Sequence, residues 1–134
     1  MKIDGRCHCG FIAFEAEAEP DAAMICNCTD CQVLTGGAFR VTVPSKLGSF
    51  RLLSGEPTRY IKTADSGNRR EHAFCPRCGS PIWATSLGDD PKAYSLRFGN
   101  ITQRAAFTPS RQIFARSQPA WVNRIDEIPR SETV

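Results

Sequence analysis

The chain has 134 residues, of which 41% are hydrophobic and 23% charged, with a formal net charge of +3. That is the profile of one globular domain able to bury its own core, and it is short for two. No apolar run approaches the roughly eighteen residues of a membrane span, and the first six residues lead into a cysteine motif with no apolar stretch or small-residue cleavage site. The expected location is therefore cytoplasmic, with no membrane partner.

Along the chain, apolar and polar residues alternate through the second half of 11–18 and throughout 39–43, each bounded by Gly or Pro, which predicts strands. Further strands are expected at 49–53, 59–63, 70–74, 81–86, 93–98 and 111–115, separated by turn-forming residues at 54–57, 66–68 and 88–91. The regular spacing predicts a mainly β fold of mostly antiparallel sheet. The one helical turn expected is 29–34, capped by Thr29 or Asp30 and stopped at Gly36-Gly37, glycines before Phe39 that would equally suit a pocket wall beside a metal. Trp83 and Trp121 are expected as large apolar anchors of the sheets. His72 reads as a strand residue, and 126–134 as a loose tail with few apolar side chains.

Seven cysteines carry the chemistry. An odd number cannot pair completely, and a reducing compartment would not keep disulfides, so grouped cysteines read as metal ligands. Cys7 and Cys9 stand two apart, so in an extended segment both side chains leave the same face. Cys75-Pro76-Arg77-Cys78-Gly79 has the spacing of a zinc knuckle, with Gly79 free to take the positive φ of the turn. Together they make a closed, four-thiolate structural site, joining residues nearly seventy positions apart.

Cys26, Cys28 and Cys31 supply three thiolates from one short segment. Three protein ligands and one exchangeable position form the pattern of a catalytic zinc, which can activate water, polarise a carbonyl or hold a thiolate. The alternative is closure by a fourth protein ligand, with His72, His8 and Asp30 the candidates. A single cluster holding all seven thiolates is a third partition, disfavoured because iron-sulfur centres want about four cysteines each. Thr29 and Asp30 can either hydrogen-bond around the metal or cap the helix.

Charge excludes a generally basic, nucleic-acid-seeking chain. Seven thiolates remove seven charges and two divalent ions restore four, so the formal +3 falls to zero. Of the seventeen cations thirteen are arginines, and only Arg69 and Arg70 are adjacent. Scattered arginines read as solvated surface cations, or as grips for carboxylates and phosphates.

The order C-x-C, C-x-C-x2-C and C-P-x-C-G, followed by Gln112-Ile113-Phe114-Ala115-Arg116-Ser117 and Pro119-Ala120-Trp121, resembles the glutathione-dependent formaldehyde-activating enzyme family, also called the centromere protein V/GFA family. The resemblance covers 5–125, which it marks as the zinc domain. It implies an Mss4-like β fold with two zinc ions per chain. One, structural, falls on Cys7, Cys9, Cys75 and Cys78, and a second, catalytic in type, on Cys26, Cys28 and Cys31. The implied activity joins glutathione and formaldehyde to S-hydroxymethylglutathione, a carbon-sulfur lyase reaction in reverse. Glutathione also carries two carboxylates, for which Arg40 and Arg77 are the first candidates, against a reading of each as a surface cation. Three thiolates leave the zinc complex at net −1, which lowers its Lewis acidity. The alternative function is a non-enzymatic zinc module binding a protein or nucleic acid. The absence of a basic cluster disfavours nucleic acid.

Overall fold

The computed structural model describes residues 1–134. Two sheets enclose the core. In the smaller, β1 (Lys2–Arg6) and β2 (Ala13–Glu17) pair antiparallel from Lys2 opposite Glu17 to Arg6 opposite Ala13, and β5 (Arg51–Ser54) joins the free edge of β2. Buried positions alternate along β1 and β2, so Ile3, Phe14 and Ala16 share the inner face. The larger sheet contains β3 (Met24–Cys26), β4 (Arg40–Pro44), β6 (Thr58–Thr63), β7 (Arg69–Phe74), β8 (Pro81–Ser86), β9 (Ser95–Arg97) and β10 (Arg111–Ile113). Its order is β10-β3-β4-β9-β8-β7-β6.

Every pair is antiparallel except β10 with β3, which run parallel from Arg111 opposite Met24 to Ile113 opposite Cys26. The mainly β, mostly antiparallel expectation holds. At the edge, β6 exposes nearly every residue and carries Arg59 and Lys62 among its apolar side chains, charges that discourage further strand pairing. The helix α1 (Thr29–Thr35) leaves β3 almost at once and ends at Gly36, whose φ of 70° is left-handed, as the glycine pair predicts. Beyond β9 the chain turns through short 3-10 segments, the last running Ala120–Glu127.

Three differences from the sequence reading have local physical causes. Residues 7–10 form a turn closed by Gly10 N–H to Cys7 O at 3.1 Å, whereas an extended segment was expected from the spacing of Cys7 and Cys9. The strands β1 and β3 are absent from the alternation pattern. One has a single apolar side chain, Ile3, and the other only three residues, so each is specified by its partner strand. Finally, Trp83 is a core anchor at 2% exposure, but Trp121 is 46% exposed. Trp121 belongs to a 3-10 segment outside both sheets, which buries none of its residues.

The aromatic centre of the core is Phe50, stacked on Tyr94 with ring centroids 4.0 Å apart and met edge-on by Trp83 at 5.0 Å. The indole N–H of Trp83 donates to Glu71 Oε2 at 2.9 Å, which satisfies the one polar atom the ring brings inside. Replacing Trp83→Ala is expected to cost about 3–5 kcal/mol of stability, a large-to-small core change. Trp121→Ala should cost less than about 1 kcal/mol. Denaturant midpoints of the two variants at equal metal content measure the difference.

Candidate functional site

The sulfurs of Cys7, Cys9, Cys75 and Cys78 converge within 4.8 Å of one another. Cys7 and Cys9 lie in the turn that follows β1, and Cys75 and Cys78 in the turn between β7 and β8. In the second turn Gly79, at φ 77°, lets its N–H donate to Cys75 O at 2.9 Å. Backbone amides point at the sulfurs: Ile12 N–H reaches Cys7 Sγ at 3.2 Å and Arg77 N–H reaches Cys75 Sγ at 3.4 Å. The Ser80 hydroxyl lies 3.2 Å from Cys78 Sγ and holds that thiol down at about 5. Ser80 Oγ also accepts from His8 N–H at 3.0 Å, which ties the two turns together.

The sulfur spacing fits a tetrahedral metal. Cys7 and Cys9 stand 3.6 Å apart and Cys9 and Cys75 3.8 Å. A disulfide would need about 2.05 Å, whereas the edge of a tetrahedron with zinc-sulfur bonds of about 2.3 Å is about 3.8 Å.

A second cluster joins Cys26, Cys28 and Cys31, whose sulfurs also lie within 4.8 Å of one another. Cys26 closes β3, and Cys28 is the N-cap of α1, its Sγ accepting from Cys31 N–H at 3.3 Å. The cap is thus a cysteine, where Thr29 or Asp30 was expected. The carboxylate of Asp30 turns instead to Lys62 Nζ at 2.8 Å. Burial, and then the hydrogen bonds and charges of Cys28 and Cys26, push the Cys31 thiol up to about 12. Three crowded thiols of this kind ionise together only with a cation among them, so the donor set fits a bound metal. No fourth protein donor joins the three. His72 Nδ1 faces Arg97 Nη2 at 3.2 Å, Asp30 is engaged with Lys62, and His8 is exposed beside the other cluster.

The loop bearing these sulfurs is held from the far end of the chain. Asn27, fully buried between Cys26 and Cys28, donates through Nδ2 to Ile113 O at 3.2 Å. Gln32 Nε2 donates to Asn27 O and to Ser117 O, both at 2.9 Å. A model of the family described as "Glutathione-dependent formaldehyde-activating enzyme" matches residues 2–117, both cysteine clusters included. The chain belongs to this family. A Halomonas elongata protein named "Putative glutathione-dependent formaldehyde-activating enzyme" is 26% identical over 87 residues, 62% of this chain and 55% of that protein, so the chain spans about half the length of this curated relative. The crystal structure of a Rhodobacter sphaeroides protein aligns at a TM-score of 0.60 and 19% identity, over 81% of this chain and 98% of that one, a likeness of fold.

This GFA-family chain has a cavity of about 180 Å³ whose lining includes Arg40, His72 and Arg97, with Gly79 and Pro81 at the turn of the four-cysteine cluster; no cysteine lines it, and Arg40, opposite Cys26, links it to the second cluster. Arg40 stands opposite Cys26 in the β3–β4 register and is 4% exposed, so the surface-cation reading of this residue is overturned. Arg77 does not line the cavity. Its guanidinium carbon lies 3.8 Å from the centroid of the Phe11 ring, a cation-π contact on an exposed side chain, which agrees with its reading as a surface cation. Sequence reasoning missed Arg97, which only strand pairing brings to Arg40. Asn27 carried a signal, a wholly polar side chain between two ligands in a buried run.

An arginine only donates, so the Arg97 contact requires His72 Nδ1 to be the acceptor and the ring proton to sit on Nε2. Burial, then the charges of Arg97, Arg40, Lys62 and Arg70, push His72 down to about 4. Because the folded value lies below the ordinary 6.5, the neutral ring stabilises the fold above that value, and the contribution is lost as pH falls from about 6.5 toward 4. Nitrogen NMR at pH 6 is expected to find His72 neutral and protonated on Nε2. The two cysteine clusters should also differ in weight. Cys78→Ser opens a site that joins the small sheet to the β7–β8 turn, and a structural ion of this type contributes about 10–16 kcal/mol, as much as a whole domain's stability. Circular dichroism should show Cys78→Ser largely unfolded and Cys28→Ser folded, at equal temperature and metal concentration.

Proposed function

We propose that the chain is a zinc-dependent enzyme of carbon-sulfur lyase type, which joins a small thiol, glutathione in the first instance, to formaldehyde. The zinc domain is placed at 5–125, in an Mss4-like fold acting in the cytoplasm, where the cysteines stay reduced. Two zinc ions per chain are assigned, a closed one to Cys7, Cys9, Cys75 and Cys78 and an open one to Cys26, Cys28 and Cys31. The observation that carries this reading is the second cluster: three convergent sulfurs with no fourth protein donor, and Arg40, opposite Cys26, which also lines a cavity with cationic walls. Family membership supports glutathione-dependent activation of formaldehyde as the reaction.

When bound by three cysteines, zinc supplies one further position for a thiol and favours its thiolate form. The chain's own residues do the rest. The Cys31 N–H holds Cys28 Sγ in place, and Gln32 and Asn27 brace the loop against Ser117 and Ile113. The buried guanidinium of Arg40 interacts favourably with all three sulfurs, which offsets the negative charge of a three-thiolate centre. The new carbon-sulfur bond forms from the thiolate sulfur to the formaldehyde carbon while the carbonyl electron pair moves to oxygen. That oxygen takes up the proton the thiol gave up, so the reaction consumes none.

The binding-module alternative finds less support for nucleic acid. Arg40 and Arg97 are buried and Arg59 is paired with Glu71, so these cations are withdrawn from a phosphate backbone. A protein-binding module would leave the second cluster inert toward small thiols. Cobalt in place of zinc separates the readings, because its sulfur-to-metal charge-transfer bands report the ligands. Adding glutathione is expected to change the bands of the native chain and to leave those of a folded Cys28→Ser chain unchanged. Formaldehyde should then disappear faster with glutathione and protein than with glutathione alone. An unchanged spectrum at full occupancy of both sites would overturn the thiol reading, and a changed spectrum without faster formaldehyde loss would leave a thiol-binding module.

A further inference from the structure

The cavity lined by Arg40 holds an arrangement that compensation of the thiolates does not fully explain. Arg40 and Arg97 are 4% and 8% exposed, and both line the cavity. Buried arginines are ordinarily tied to carboxylates or carbonyls, because a desolvated guanidinium with idle N–H groups is unfavourable. Here no ion pair involves either residue. Nε and Nη1 of Arg40 and Nε of Arg97 are buried and have no acceptor from the protein. No carboxylate is committed to them: Glu71 accepts from Trp83 and pairs with Arg59, and Asp30 pairs with Lys62. The hydrogen-bond partner of Arg97 is His72, a neutral ring that supplies no negative charge, so what compensation the two guanidinium groups have comes from the thiolates of the second cluster and not from a bonded acid.

Register explains why two cations meet here. Arg40 opens β4 opposite Cys26, while Arg97 ends β9 opposite Thr42, two residues further along β4. Side chains at i and i+2 of a strand share a face, so strand pairing delivers Arg97 to the side of the sheet from which Arg40 projects. Repulsion between the two is part of what lowers the pKa of Arg97, after burial. Two like charges held together out of water, with donors idle, constitute a site prepared for an anion.

We infer that Arg40 and Arg97 form a carboxylate subsite, which holds the acid group of the thiol while its sulfur is presented to Cys26, Cys28 and Cys31. The inference rests on the thiol reading above and adds the two residues that hold the acid group, Arg97 among them, and the requirement that the thiol carry one. The shape of the donors favours a planar acceptor, since guanidinium N–H groups form a flat fork that matches two carboxylate oxygens. The size is informative too. About 180 Å³ is below the roughly 300–1,000 Å³ of sites that enclose a drug-sized molecule, so one acidic arm enters and the remainder of a peptide-like thiol stays outside. The apolar part of the lining, Leu34, Tyr60 and Phe74, suits the methylenes of such an arm.

The test compares 3-mercaptopropionate with its neutral isostere 3-mercaptopropanamide, by calorimetry on the metal-loaded chain, each affinity corrected for that thiol's own ionisation. The acid is expected to bind about tenfold or more tightly, the weight of a charge-assisted pair of hydrogen bonds. Propionate, which has no thiol, is expected to compete with it. Arg97→Gln, checked for fold by circular dichroism, should bring the ratio of the two thiols toward one. Should that variant not fold, the ratio on the native chain and the propionate competition decide alone. Equal affinity of the two thiols with no competition by propionate would overturn the subsite and reduce the arginines to counter-ions of the sulfurs, while the thiol reading stood. A ratio that persists in folded Arg97→Gln and Arg40→Gln would also overturn it, by placing the carboxylate elsewhere. Binding of propionate without any change in the cobalt bands on adding either thiol would instead sustain the subsite and remove the thiol reading.

Discussion

Four sulfur atoms held within 4.8 Å of one another are the constraint on which the architecture rests. Thiolates at that distance repel, and they are brought there from two turns that belong to different sheets. A cation among them converts a repulsive crowd into a crosslink between β1 and the β7–β8 turn. The loop closed in this way runs from residue 7 to residue 78, and closing so long a loop removes much freedom from the unfolded chain. The amide and hydroxyl donors around the sulfurs, from Ile12, Arg77 and Ser80, spread the negative charge that remains. A hydrophobic core with one aromatic cluster then suffices for a domain that has only one helix of two turns.

The second cluster draws on that rigidity without contributing to it in the same way. All three of its sulfurs come from one segment, 26–31, so a metal there fastens a short loop instead of distant sheets. The loop is braced separately, by the parallel pairing of β10 with β3 and by hydrogen bonds from Asn27 and Gln32. In the proposed reading this division puts the exchangeable position on a strand end and a helix start that are braced from elsewhere in the chain. It is the separation of framework from chemistry that an exchangeable ligand needs.

Electrostatics ties the second cluster to its surroundings. A three-thiolate centre with a divalent ion carries net negative charge, and the nearest buried charges are the guanidinium groups of Arg40 and Arg97. His72 stays neutral among these cations, so it accepts from Arg97 without adding a further positive charge. Positive charge is therefore concentrated on the side of the 26–31 loop from which Arg40 and Arg97 project, whereas the surface arginines are partly neutralised by Glu15, Glu56 and Glu71.

Much of this was legible in the residues alone, because metal chemistry acts through local spacing. Cys7 and Cys9, Cys75 and Cys78, and Cys26, Cys28 and Cys31 are each close enough in the chain for their geometry to follow from a turn or a strand end. The strands with clear alternation and the glycine stop of α1 follow for the same reason. What only the tertiary structure decided depends on residues far apart. The exposure of Trp121, the stacking of Arg77 on Phe11, and β10 lying parallel to β3 are set by which surfaces the folded chain brings together. Most of all, the meeting of Arg40, His72 and Arg97 required β4, β7 and β9 to be placed in one sheet in a fixed register. An isolated arginine in a strand looks like any surface cation, and its burial beside a second one is a property of strand pairing that no local pattern encodes.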